Sequence, residues 1–186
     1  MDALAAEAFL NADHRVCGLR LRPLSIGHAF TLEAIGSPFY HGQKGDLDQL
    51  QLAAWICSRP PLAPIHARGF RFALWQRTAS RFDLETEAAR WSVYVGDYCS
   101  PPQMWNKAPK AGEERREHSR IPSQIITVTR LMRLGVSEKQ AWETPVGIAA
   151  WYEAASFEAE TGENLDIVTD SERVAIIRQK LKQHRK

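Results

Sequence analysis

The sequence predicts a mainly α protein, a compact multi-helix domain with at most a short N-terminal strand and a basic C-terminal helix. Three observations lead there. Helix-starting residues (Ser25, Asp46, Asp83, Ser137 and Thr169) recur along the chain, each ahead of an apolar pattern of helical period. Glycine or proline then closes most of these patterns, as Gly36, Pro60 and Gly162 do. Strand-like alternation is confined to residues 16–24, and a lone strand makes no sheet.

The elements follow in order. Residues 16–24, VCGLRLRPL, read as a short strand or extended lead-in ending at Pro23, which has no N–H for a ladder. Ser25 caps a helix through Ile26, Phe30 and Ile35 that Gly36 and Pro38 close. Asp46 with Gln49 is a capping box for a second helix, with Leu47, Leu50, Ala53, Ala54 and Cys57 on one face, and the run PPLAP (60–64) stops it. Residues 65–80 are an amphipathic helix or, over 69–74, a short strand; helix is the better reading. Asp83 caps a helix whose Leu84, Ala88, Trp91 and Val95 repeat at helical spacing, with Glu85 and Glu87 where the macrodipole favours acids.

Residues 101–120 hold three prolines, a glycine and mixed charge, with little apolar period, and read as a loop or linker. They divide the chain into an N-terminal helical part (1–100) and a C-terminal helical part with a basic tail (121–186), or lie within one continuous domain. Pro122 starts a helix whose apolar face runs on through Leu131, Met132 and Leu134 to Gly135, although the β-branched run 125–129 also suits a strand. Ser137 with Gln140 is a further capping box. Pro145 starts the strongest helix, with Ile148, Trp151, Tyr152, Ala155 and Ala159 expected on its packed face and Gly162 at its end. Thr169 with Glu172 opens a last helix with a thin stripe of Val174, Ile177 and Leu181. From Arg173 onward there are six Lys or Arg and no acid, so the tail is a basic handle.

Composition bounds the function. With 44% hydrophobic residues in 186, the chain can bury a core, which excludes disorder throughout. A net charge of +2 is too small for a polycation that coats phosphates along its whole length. Cys17, Cys57 and Cys99 form no CxxC pair, so neither a disulfide scaffold nor a zinc module is expected, and a reducing cytoplasm is the natural home. The acidic start MDALAAEAFLNADH lacks the basic region of a secretory signal, and no apolar run approaches the roughly 20 residues of a membrane span. A soluble protein with no membrane partner is expected.

The chemistry-bearing residues do not assemble into a motif. His14, His28, His41, His66, His118 and His184 stand singly, without HExxH or HxH, so no metal is expected. Neither GxGxxG nor GxxxxGK[ST] occurs, so no nucleotide cofactor is expected either. A spatial pair of Cys57 with His28 stays open, against the simpler reading of Cys57 as an inert buried thiol. Glu153, Glu158 and Glu160 suit the solvated side of an amphipathic helix better than an acid–base pair. Residues 121–159 have helix-turn-helix spacing, but the helix after Thr144 has no Lys or Arg before Arg173, so nucleic acid is an unfavoured partner. Six tryptophans suit a core, except Trp105, which sits with Met104 in the charged, proline-flanked loop where core packing offers no obvious reason for it and partner contact is the minority alternative.

The segments LRLRPLSIGHAFTLEAIGSPF (19–39), GDLDQLQLAAWICSRP (45–60) and WETPVGIAAWYEAASFEAETGE (142–163), taken in that order, resemble bacteriophage or prophage tail assembly chaperones. The likeness covers about half the chain. It implies a mostly helical, non-enzymatic protein of the bacterial host cytoplasm, without cofactor. Such a protein binds the hydrophobic tape measure protein during tail morphogenesis and is absent from the finished particle. On that reading Phe39, Tyr40, Met104 and Trp105 are the exposed side chains expected to meet the partner. The alternative is a DNA-binding or packaging-associated phage protein that uses the C-terminal helices.

Overall fold

A computed structural model describes residues 13–64, 69–99, 101–102 and 121–162, together with Leu165 and Glu172. The described chain is mainly helical, with seven α-helices and one two-stranded hairpin. Strands β1 (Arg15–Val16) and β2 (Leu19–Arg20) pair antiparallel, Val16 opposite Leu19. Between them Cys17 and Gly18 both have positive φ, 49° and 75°, the backbone of a two-residue type I′ turn. The chain therefore doubles back where one strand was expected over 16–24, because glycine at the second turn position takes this conformation without a Cβ penalty. Residues 21–24 then run extended, with the Arg22 N–H donating to the Cys57 carbonyl at 2.9 Å.

The caps fall where local chemistry puts them. Helix α1 (Ile26–Ala34) starts at Ser25, α2 (Leu47–Cys57) at Asp46 and α4 (Leu84–Tyr98) at Asp83; each cap's side chain accepts an N–H of the first turn. Helix α3 (Phe70–Ala79) settles the helix-or-strand alternative in favour of helix, although Gly69 offers no side-chain cap. Helix α5 (Ser123–Arg133) follows Pro122, so the β-branched run 125–129 is helical. Helix α6 (Glu138–Glu143) has the Ser137–Gln140 capping box, and α7 (Val146–Thr161) runs from Pro145 to Gly162, which is left-handed at φ 67°. The linker residues 103–120, the tail from Arg173 and the expected helix after Thr169, except Glu172, lie outside the described residues.

Two apolar cores meet at α1. The larger gathers Val16 and Leu24 of the lead-in, Leu32 of α1, Leu50 and Cys57 of α2, Ala79 of α3, and Trp91 and Tyr94 of α4. The smaller joins Ile26 of α1 to Val128 and Leu131 of α5, Ala141 of α6 and Ala149 of α7. Helix α1 serves both because Ile26 and Leu32 point to different sides. Its start is also tied directly to that of α7: Ser25 and Pro145 form an antiparallel bridge, the Ile26 N–H donates to the Thr144 carbonyl and the Val146 N–H to the Leu24 carbonyl, each at 2.9 Å. Two helices thus begin side by side, and each supplies a backbone acceptor to the other's first turn.

His28 holds this junction from within. It is 1% exposed. The Ser25 N–H donates to Nδ1 at 3.3 Å, so the ring proton sits on Nε2, which donates to the Arg59 carbonyl at 2.8 Å. One imidazole thereby replaces the usual Glu or Gln of a capping box and also ties off the chain leaving α2. Burial, with a smaller push from the Arg22 cation, holds the His28 pKa below its ordinary 6.5, against the opposing effect of the Arg59 and Pro23 carbonyls. The unfolded chain therefore takes up a proton near 6.5 that the folded chain refuses. Stability from this group is complete above 6.5 and is lost as pH falls below it. Urea midpoints measured from pH 7.5 down to 5 should decline, and a His28→Gln variant should show a flatter profile over that window. An unchanged slope in the variant would refute the assignment.

Candidate functional site

The site is built on the last two turns of α7. Along this helix Gly147, Ala149 and Ala154 are buried, while Tyr152, Ala155 and Ala159 are exposed. This corrects the expected face, in which Ile148, Trp151, Tyr152, Ala155 and Ala159 pack inward. The cause is steric: α7 starts in backbone contact with α1, and only small side chains fit between helices that close. The bulky residues are displaced to the flanks, where Ile148 and Trp151 are half-buried.

The inward stripe runs on past its packing partner. Ala150, Ala154 and Phe157 follow one another at i, i+4 and i+7 on the side that faces the core. Ala154 is 6% exposed but Phe157 is 45% exposed. Around it lies an open groove of about 360 Å³ lined by Pro101, Pro102, Ala150, Ala154, Phe157 and Leu165, with Arg130 and Glu153 among its walls. A second depression of about 260 Å³ shares Arg130, Glu153 and Phe157 and reaches Leu134 and Arg133. Leu134 is half exposed and Met132 nearly so, which corrects the expectation that they extend the packed face of α5; Gln124, Val128 and Leu131 form that face instead.

The polar groups near the groove are held in place. Arg130 donates from Nη1 to Glu153 Oε2 at 3.2 Å across α5 and α7, Glu158 accepts the Leu165 N–H at 2.6 Å, and Glu160 accepts the Ser156 hydroxyl at 2.9 Å. The three carboxylates of α7 thus act as struts and helix-face partners. What the groove offers a ligand is apolar surface with one ion pair at its wall, the chemistry that receives an apolar helix face.

Of the side chains expected to meet a partner, Phe39 is 8% exposed and belongs to the larger core, which corrects its expected exposure. The turn after α1 folds inward, and the Phe39 carbonyl accepts the Trp91 Nε1–H at 3.2 Å. Tyr40 is half-buried, its hydroxyl pKa raised chiefly by burial, and it lines a depression of about 140 Å³ that shares Ala150 and Glu153 with the groove. Met104 and Trp105 lie outside the described residues, in the chain that follows the groove-lining Pro101 and Pro102. Phe157, Ala154 and Leu134 were missed as candidates; the i, i+4, i+7 spacing from Ala150 was the available signal for the first two.

The thiols are far from reactive. Burial pushes Cys57 and Cys17 up to about 12 and Cys99 up to about 11, with Glu87 adding to the shift at Cys17. The ring nitrogens of His28 are engaged by Ser25 and Arg59, and no hydrogen bond joins it to Cys57 among the described residues. Among the described residues no group of three His, Cys, Asp or Glu side chains is placed to hold a metal ion, and no helix is long and apolar enough to cross a membrane. Compared with protein-family models, with curated proteins and with solved structures, the chain matches none.

Proposed function

We propose that this chain is a non-enzymatic assembly factor of the phage-tail chaperone kind. It acts in the bacterial cytoplasm by shielding an apolar helical segment of a tape measure protein until the tail tube encloses it. The observation that carries the reading is the stripe Ala150–Ala154–Phe157, which outruns its own core and leaves an apolar groove beside α5. A folded monomer gains nothing from an exposed phenylalanine on an inward stripe, whereas a helix laid along the groove completes the packing that the end of α7 lacks.

Co-expression of a tape measure protein from the same genome with this chain tests the proposal. The wild-type chain should keep the partner soluble. Phe157→Asp with Leu134→Asp should cut the soluble fraction about tenfold, while circular dichroism and melting temperature stay near wild type because both side chains are exposed. Equal solubility with the variant, or without the chain, refutes the reading.

A further inference from the structure

We infer that the outward face of α3 is a docking surface for an acidic amphipathic helix of another polypeptide. Helix α3 is apolar on two opposite sides. Its inner side is fixed: Phe72 and Ala79 are buried, and Trp75 and Phe72 pack on Trp55 of α2, with ring centroids 5.2 Å and 5.3 Å away. The aromatic stack leaves the helix no freedom to roll its other side inward. On that other side Phe70 is 82% exposed and Leu74 55%, at i and i+4, and Arg77 continues the row one turn on.

Charge selects the occupant. Helix α3 has no acidic residue, Arg71 flanks the exposed row, and Arg81 follows the helix end. None of the three guanidinium groups forms an ion pair or hydrogen bond among the described residues, so each fork is available. A planar fork binds a carboxylate through two parallel hydrogen bonds. A partner helix with leucines on one face and glutamates along its edges matches both features: the leucines cover Phe70 and Leu74, and the glutamates reach Arg71, Arg77 and Arg81. Two outward apolar side chains on a ten-residue helix make too narrow a stripe to bury in a lipid interface, so a membrane surface is the poorer occupant. This surface is separate from the groove beside α7 and does not depend on it.

The full-length chain should be titrated against a fluorescein-labelled amphipathic peptide of leucine and glutamate, and against the same peptide with lysine for each glutamate. Saturable binding of the acidic peptide, markedly tighter than that of the lysine peptide, is expected. Phe70→Ser with Leu74→Ser should weaken it about tenfold or more, Arg71→Glu with Arg77→Glu similarly, and raising NaCl from about 0.05 M to about 0.5 M about fivefold. Phe157→Asp should leave it unchanged. Equal binding of both peptides, indifference to the α3 variants, or loss on Phe157→Asp overturns the inference. So does co-sedimentation with phosphatidylserine vesicles, or a dimer, where either one is abolished by Phe70→Ser with Leu74→Ser: the face then belongs to a membrane or to a second copy.

Discussion

Replacing Trp91 with alanine is expected to cost about 3–5 kcal/mol of folding stability, a fall of roughly 10 °C in melting temperature for a chain of this size. Trp91 is 1% exposed, packs at a tilt on Tyr94 with ring centroids 5.2 Å apart, and donates from Nε1 to the Phe39 carbonyl. Removing the indole leaves a cavity at the centre of the larger core and an unpaired acceptor in the turn after α1. Trp91→Phe separates the two effects, since it keeps most of the volume and loses the donor, and should cost about 1–2 kcal/mol. Calorimetry of both variants checks the account. A phenylalanine variant as unstable as the alanine one would show that the hydrogen bond to Phe39, rather than the packing, carries the position.

The second large effect is expected at Glu87. Its carboxylate is 1% exposed, accepts the backbone N–H of Cys17 at 2.6 Å through Oε2, and accepts Arg90 Nη1 at 2.6 Å through Oε1. Cys17 is a non-glycine residue in the left-handed region, and its buried N–H has this one side-chain acceptor to hold the turn against α4. Glu87→Ala strands that donor and should cost about 2–3 kcal/mol. Glu87→Gln keeps an oxygen for Cys17 and gives up only the charge toward Arg90, which is itself half exposed, so its cost should be about 1 kcal/mol. Urea unfolding at neutral pH distinguishes them. Equal losses would mean that the ion pair, not the turn, is what Glu87 provides.

Glu87 also shows what the sequence conceals. Its place in the first turn of α4 is legible from Asp83 and the macrodipole, and a glutamate there reads as solvated. Its burial depends on a hairpin seventy positions away, and no local pattern announces that. The helices themselves were legible because caps are local: Ser25, Asp46, Asp83 and Ser137 each close a hydrogen-bonded ring within three residues. The packed face of α2 was legible in part: Leu50, Ala53, Ala54 and Cys57 are buried as expected, while Gln51 and Ile56 are buried on its other sides, which α3 and the lead-in cover. The face of α7 was not, because alanine on one side and tryptophan and tyrosine on the other give two apolar stripes. The choice between them was made by the bridge to α1, a long-range event. Phe39 was misjudged for a related reason: a turn beside Pro38 reads as surface until Trp91 is seen to reach its carbonyl. Recognition of the groove required the same non-local knowledge, namely where the core stops.

The joined starts of α1 and α7 set an order on how the molecule comes into being. The Val146 N–H cannot reach the Leu24 carbonyl until nearly all of the described chain has left the ribosome, and closing so long a loop is entropically costly. The hairpin and α1 to α4 can condense around Trp91 while synthesis continues. Helices α5 to α7 then dock as a late layer on a template already laid down. A nascent chain halted before Ser123 should therefore expose the Ile26 side of α1, a transient sticky surface that α5, α6 and α7 together seal.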